Sequence, residues 1–298
     1  MTTLAPAKAG STATRTAGRT WTICRPWFWP LGWGGAYLGW VLAGHGLIPP
    51  AIDGLLLALL LGPLVWTAVL AQNDLHDLPT DRLNPRKANS PLVTGALTPA
   101  TLRGLYRGST AATLVVAAVL GPSFLLGALI VLGLGWAYSA PPLRLKSRPG
   151  ADVVVNALVV GVLAPLAGWA LQRPAGDYPL VMVVLGAMLA AALYLPTTVL
   201  DVDADRAAGY RTTAVCWRPE RCYRAGLALW TAATALWLAV CELGVLVERT
   251  GWTLQWLAAP VVVGAYAILA RTPTIPRLAV VAAVFALPAA DFLIALIS

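Results

Sequence analysis

Two short acidic stretches hold the residues best suited to chemistry. The first reads Asn73-Asp74-Leu75-His76-Asp77-Leu78-Pro79-Thr80-Asp81, the second Asp201-Val202-Asp203-Ala204-Asp205-Arg206. On a helix, Asn73 and Asp77 stand one turn apart on one face and Asp74 lies near the same edge, so three oxygen ligands converge. Pro79 is expected to distort or end that helix, which brings Asp81 in from a turn. In the second stretch Asp201 and Asp205 are again one turn apart, while Asp203 points elsewhere and is free to pair with Arg206. Oxygen-rich sites of this kind suit Mg²⁺, a hard ion usually held by a few carboxylates together with substrate phosphate and water. A lone carboxylate near a membrane surface more often caps a helix or solvates a loop. Three aspartates and an asparagine in one segment weigh against that plainer explanation. Two such clusters would repel one another if left unneutralised, and metal ions facing a diphosphate relieve the repulsion, so loss of diphosphate is the chemistry implied.

Basic residues are available for the same anion. Arg86 and Lys87 follow the first stretch, Arg144 and Lys146 close the segment Tyr138-Ser139-Ala140-Pro141-Pro142-Leu143-Arg144-Leu145-Lys146, and Arg211 lies in the tight loop after the second stretch. Lys146 and Arg144 lead this group, although Lys and Arg at helix ends also serve as topology anchors. His76, between motif carboxylates, is expected to be a hydrogen-bonding neighbour and not a Mg²⁺ ligand. Thirteen tryptophans are many for 298 residues, but most fall near interfaces, which leaves Trp66, Trp136 and Trp169 as mid-span rings able to face a carbocation. Cys24, Cys216, Cys222 and Cys241 show no CxxC pairing, so neither a disulfide framework nor a zinc site is suggested.

The elements that must position these groups are set by composition. With 58% hydrophobic and 11% charged residues, the chain has too little polar surface to cover a soluble globule of its size. An all-α polytopic membrane protein follows, with about 20 apolar residues needed for each crossing. Nine spans are expected, at residues 27 to 48, 52 to 73, 98 to 119, 121 to 138, 152 to 172, 178 to 200, 220 to 246, 253 to 271 and 275 to 297, the third and fourth divided by Gly121-Pro122. The formal charge of +8 is spread through short loops, which argues against nucleic acid as a partner and supplies topology instead. Every Lys and Arg except Arg173 and Arg249 falls on one side of this arrangement, so the N-terminus and both acidic stretches are expected in the cytoplasm and the C-terminus outside. Residues 1 to 24, with no apolar signal stretch, read as a disordered cytoplasmic tail ahead of a single transmembrane domain, residues 25 to 298.

In these motifs the chain resembles the UbiA superfamily of intramembrane prenyltransferases, whose signatures are NDxxDxxxD and DxxxD. Asn73, Asp74, Asp77 and Asp81 fill the first, and Asp201 and Asp205 the second, followed by Arg206-Ala207-Ala208-Gly209. The segment from Tyr138 to Lys146 is similar to that of the chlorophyll synthase and archaeal lipid synthase branch. The resemblance implies nine helices around a central cavity with a side opening for lipid substrates. It also implies Mg²⁺ held by Asn73, Asp77, Asp81, Asp201 and Asp205 (with Asp74 adjacent) and bridged to an isoprenyl diphosphate. Lys146, Arg144 and Tyr138 are then placed near the diphosphate or a lipophilic acceptor, and Asp77, Asp201, Lys146 and Tyr138 are expected to carry the reaction. Where the family commonly has Arg-Pro after the first motif, this chain has Ser90-Pro91, so Arg86 or Lys87 must supply the charge. The rival readings are a terpene cyclase of the same superfamily, in which Arg25, Tyr138 or Arg144 would have no acceptor to orient, and an ion-coupled transporter. Acids at helix ends on one side argue against transport.

Overall fold

A computed structural model describes residues 21–44, 46–248 and 251–297, and among them every regular element is helical. Among the described residues the main helices are α1 (Trp29–Gly44), α2 (Ala51–Asp81), α3 (Pro99–Leu120), α4 (Pro122–Ser139), α5 (Ala151–Trp169), α6 (Leu180–Val199), the short α7 (Val202–Ala207) and α8 (Thr213–Trp217), α9 (Pro219–Glu242), α10 (Thr253–Leu269) and α11 (Ile275–Leu296, with a turn at Phe285). Among the described residues, a helix occupies part of each of the nine stretches expected to span. Six of them, α2, α4, α5, α6, α9 and α11, are long and apolar enough to cross a bilayer. The other three fall short for visible reasons: α1 and α10 have 16 and 17 residues, and α3 is diluted by Arg103 and Arg107.

The breaks follow local chemistry. Gly121, at φ 129°, separates α3 from α4 in a conformation that a Cβ would strain, and Pro122 then opens α4. Thr98 caps α3 by accepting the Thr101 amide at 3.1 Å. Of the expected tail, residues 1–20 lie outside the described residues. Residues 21–24 belong with the bundle: Ile23 is buried in a cluster with Ala71, Leu92 and Leu102, and the Cys24 carbonyl accepts the Trp29 indole at 3.1 Å.

α1 packs on α5, α5 on α6 and α6 on α9, while α2, α3 and α4 form a second group that meets α1 and α5. The space between α1, α2, α4 and α5 is an apolar cavity, about 950 Å³ when the open space at its mouth is counted. Two π-helical turns wall it, Leu60–Leu64 in α2 and Ala157–Leu163 in α5. The first holds Pro63, which has no amide to give the helix ladder, beside Gly62, whose backbone leaves the helical region.

At the α5–α6 crossing Gly161 and Gly186 face each other, and a Cβ on either would strike the carbonyl of the other. Small residues let backbones approach where lipid offers no hydrophobic drive for helices to associate. Gly161→Ala is expected to lower stability by about 1–3 kcal/mol through overpacking. The loss is read as a lower midpoint for thermal loss of the monodisperse peak in detergent.

Tryptophans serve mainly as packing. Trp230 stacks on Tyr266, and Trp237 donates to Gln255 Oε1 at 2.8 Å in the buried contact between α9 and α10. Of the three mid-span rings singled out above, Trp66 alone lines the cavity, stacked on Phe28. Trp169 packs edge-on against Tyr178, and Trp136 is exposed.

Candidate active site

The first acidic stretch ends α2. Contrary to the expectation for Pro79, the helix runs on to Asp81, so Asn73, Asp77 and Asp81 recur every four residues along one stripe. Pro79 takes one i→i−4 bond from the helix, leaving the Leu75 carbonyl without its amide, but does not end it. Asp74 is buried beside the stripe and accepts from Arg25 at 2.7 Å. His76 behaves as the hydrogen-bonding neighbour expected of it, its Nδ1 lying 2.8 Å from the Gln72 carbonyl.

The second stretch forms after α6 stops at Val199. Asp201 starts α7, and the Asp205 amide donates to the Asp201 carbonyl at 2.8 Å, which fixes the two acids one turn apart. Asp203 is exposed and pairs with Arg206 at 3.1 Å, as its position suggested. Burial pushes the Asp205 carboxyl up to about 6, and the neighbouring Asp201 and Asp77 charges push the same way, against the Thr212 hydroxyl and Lys146.

Two connecting segments bring cations to these acids. After α2, Asn84 accepts the Arg86 amide at 3.0 Å and starts the 3₁₀ turn Pro85–Lys87, which folds back over the helix end. Lys87 then reaches Asp81 at 3.1 Å, and Arg86 reaches across to Asp201 at 2.6 Å, where Asn84 Nδ2 also donates at 3.1 Å. Arg86 and Lys87, the two cations expected to supply the charge in place of Ser90, thus each face one of the acidic stretches. After α4, Arg144 adopts a left-handed backbone (φ 39°) ahead of the turn Leu145–Ser147. Its guanidinium lies 3.2 Å from Asp77 Oδ1 and 4.4 Å over the Tyr210 ring, and it also bonds the Tyr210 hydroxyl. Lys146 is buried, pairs with Asp77 and donates to Asn73 Oδ1 at 2.9 Å. Burial pushes its ammonium pKa down, opposed by the Asp77 charge.

Eleven of the expected residues are therefore brought together: Asn73, Asp74, Asp77, Asp81, Asp201 and Asp205, with Arg25, Arg86, Lys87, Arg144 and Lys146. Two differ. Arg211 is exposed and has no ion pair among the described residues. Tyr138 turns its hydroxyl to that of Tyr194, 2.6 Å away, and not to an acid or a cation. Asn84, Ser139 and Tyr210 belong to the cluster as well. Ser139 donates to Asn73 Oδ1 at 3.2 Å. The signals for two of them were local: Asn84-Pro85 is a turn-forming pair, and Tyr210 follows a glycine at φ 74°.

No group of three or more His, Cys, Asp or Glu side chains is gathered as a metal nest among the described residues. Basic side chains stand among the carboxylates instead. The donor set still fits Mg²⁺, being oxygen only and drawn from two helix ends, and the neighbouring cations suit its anionic partner. Arg144 Nε in particular is buried without a hydrogen-bond partner, a donor left over for an anion. The apolar cavity begins one turn below: Val69, four residues before Asn73, lines it, together with Trp66, Phe124, Val131, Val159 and Leu163.

A model of the UbiA prenyltransferase family matches residues 28–277. The chain belongs to that family. Lycopene elongase/hydratase of Haloarcula japonica is 30% identical over 226 residues, 71% of each chain. The protein of that name from Haloferax volcanii is 31% identical over 183 residues, 56% of this chain and 54% of that one. The UbiA homolog of Archaeoglobus fulgidus bound to GPP and Mg²⁺ superposes with a TM-score of 0.69 at 27% identity, covering 94% of this chain and 99% of that one. The apo UbiA homolog of Aeropyrum pernix K1 shares the fold, with a TM-score of 0.72 at 22% identity over 91% of this chain and 98% of that one. With six helices of membrane-crossing length and apolarity, this UbiA chain is an integral membrane protein of prenyltransferase type.

Proposed function

We propose that the protein is a Mg²⁺-dependent prenyltransferase that ionises an isoprenyl diphosphate at the acidic end of the bundle and joins the prenyl group to a lipophilic acceptor in the cavity below. The observation that carries this reading is the meeting of five aspartates from both acidic stretches with five cations from other segments, directly above an apolar cavity. The relatives support it, since one binds GPP with Mg²⁺ and others are named for elongating a polyene.

Asn73, Asp74, Asp77, Asp81, Asp201 and Asp205 would hold the metal, which when bound neutralises charge on the departing diphosphate. Arg25, Arg86, Lys87, Arg144 and Lys146 exchange carboxylate partners for phosphate oxygens as the diphosphate enters, so its charge is met by donors already in place. The carbon–oxygen bond breaks with its electron pair leaving on the diphosphate. The allylic cation is attacked by a π bond of the acceptor, a carbon–carbon bond forms, and the adduct closes by losing a proton. Apolar side chains such as Val69 and Val159 keep water from the cation, and Trp66 presents an aromatic face to it. Tyr138, paired with Tyr194, offers a hydroxyl pair to orient the substrates. In this reading the acidic end faces the cytoplasm and the C-terminus lies outside, which the distribution of Lys and Arg supports.

A transporter is disfavoured because the two span acids nearer the other end of the bundle, Glu242 and Asp291, are held in structural contacts. Glu242 accepts from the Trp256 indole at 2.7 Å, and Asp291 accepts from Gln255 at 2.9 Å. The deciding experiment supplies purified protein with Mg²⁺ and dimethylallyl or geranyl diphosphate, with and without an acyclic polyene, and weighs the products. A prenylated polyene supports transfer. A cyclic hydrocarbon formed equally well without any acceptor would replace transfer with cyclisation.

A further inference from the structure

Asp152, in the first turn of α5, is almost wholly buried, lines neither the cavity nor the acidic cluster, and makes no ion pair among the described residues. Neutral donors hold it instead. The Thr213 amide donates to Oδ2 at 3.0 Å, the Thr213 hydroxyl donates to Oδ1, and the Val153 amide donates to Oδ1 at 3.0 Å. The same Thr213 hydroxyl accepts the Gly150 amide at 2.7 Å. A carboxylate buried without a counter-ion is expensive, and its position explains what it holds together. Gly150 ends the segment that carries Arg144 and Lys146, and Thr213 ends the loop that follows Asp205.

Both segments carry backbone hydrogen bonds of their own. The Arg148 amide donates to the Leu145 carbonyl at 3.0 Å and the Ala151 amide to the Arg148 carbonyl at 3.1 Å, while the Tyr210 amide donates to the Asp205 carbonyl at 2.8 Å. A second tie joins the same two segments, where Arg144 stacks on Tyr210. We propose that Asp152 and Thr213 form a positioning latch that fixes Lys146 and Arg144 relative to the second acidic stretch and so sets the turnover of diphosphate ionisation. The latch rests on the reaction proposed above. Neither residue touches the reacting atoms, and each acts through the segment it anchors.

Thr213→Val removes the hydroxyl while keeping the shape, and Thr213→Ser keeps the hydroxyl. Hydrogen exchange over residues 144–150 is read in detergent without substrate. With Mg²⁺ and geranyl diphosphate, kcat and KM are then measured per folded protein. In Thr213→Val, exchange in that segment is expected to quicken and kcat to fall by about ten-fold or more, the size that follows from unpairing buried hydrogen-bonding groups. KM for the diphosphate should stay within about three-fold, because the cations that bind it remain. Thr213→Ser should restore both readouts. Thr213→Val with normal kcat despite faster exchange, or Thr213→Ser as impaired as Thr213→Val, would overturn the latch. Should the wild type release no diphosphate, the proposed reaction fails, and the exchange arm alone decides whether the hydroxyl holds the segment. Unchanged exchange in Thr213→Val rejects the latch.

Discussion

Asp77→Asn is expected to lower kcat for diphosphate release by about 10²–10³-fold, the scale of losing one preorganised electrostatic contact at a reacting centre. Asp77 is where the site's demands meet. It pairs with Lys146 and Arg144 and lies on the stripe with Asn73 and Asp81. Asparagine keeps an oxygen toward Lys146, so the fold should survive. Asp77→Ala is a different experiment, because it strips the buried Lys146 ammonium of its counter-ion, and breaking a buried pair from one side costs about 3–5 kcal/mol. The effects separate in two measurements on purified protein: the thermal midpoint in detergent falls clearly for alanine and little for asparagine, while both lose turnover. Wild-type turnover in folded Asp77→Asn would remove this residue from the site.

Lys146→Met is expected to cost a similar factor in kcat while leaving the thermal midpoint unchanged or slightly raised. Methionine refills the volume of the buried aliphatic stem, and Asp77 still has Arg144 at 3.2 Å, so no carboxylate is orphaned. The charge that meets the leaving diphosphate is gone. Because Lys146 and Asp77 act on one another, the double variant should be scarcely slower than the slower single one, which kinetics on all four proteins can test. Fully multiplicative losses would mean that the two residues serve independent steps.

Much of this site was written in residue spacing. The i, i+4 recurrence of Asn73 with Asp77 and of Asp201 with Asp205 needs only helical geometry, and the helices supply it. The exposure of Asp203 and its pairing with Arg206 follow from the same geometry. The route by which Asp81 reaches the site is less legible, because a proline in a helical pattern predicts a distorted or ended helix. The helix runs on through Pro79 and carries Asp81 onto the stripe. The partners of the acids were much less legible. That Arg86 crosses to Asp201, 115 positions away, depends on how the turn at Pro85–Lys87 folds over a neighbouring helix, which no local pattern encodes. Arg211 shows the converse, a cation close in sequence to the second stretch that faces solvent. Tyr194 and Asp152 were passed over because each lies within or at the edge of an apolar span, where sequence gives no sign of the partner that another helix will bring.

The most direct measurement is release of inorganic diphosphate from geranyl diphosphate by the purified protein, with Mg²⁺ and with the divalent ion chelated. The expected result is steady release that requires Mg²⁺, is lost in Asp77→Asn and Lys146→Met, and is accompanied by a prenylated product when a polyene is supplied. Release that is indifferent to chelation, or no release from dimethylallyl, geranyl or geranylgeranyl diphosphate by folded protein, would contradict it.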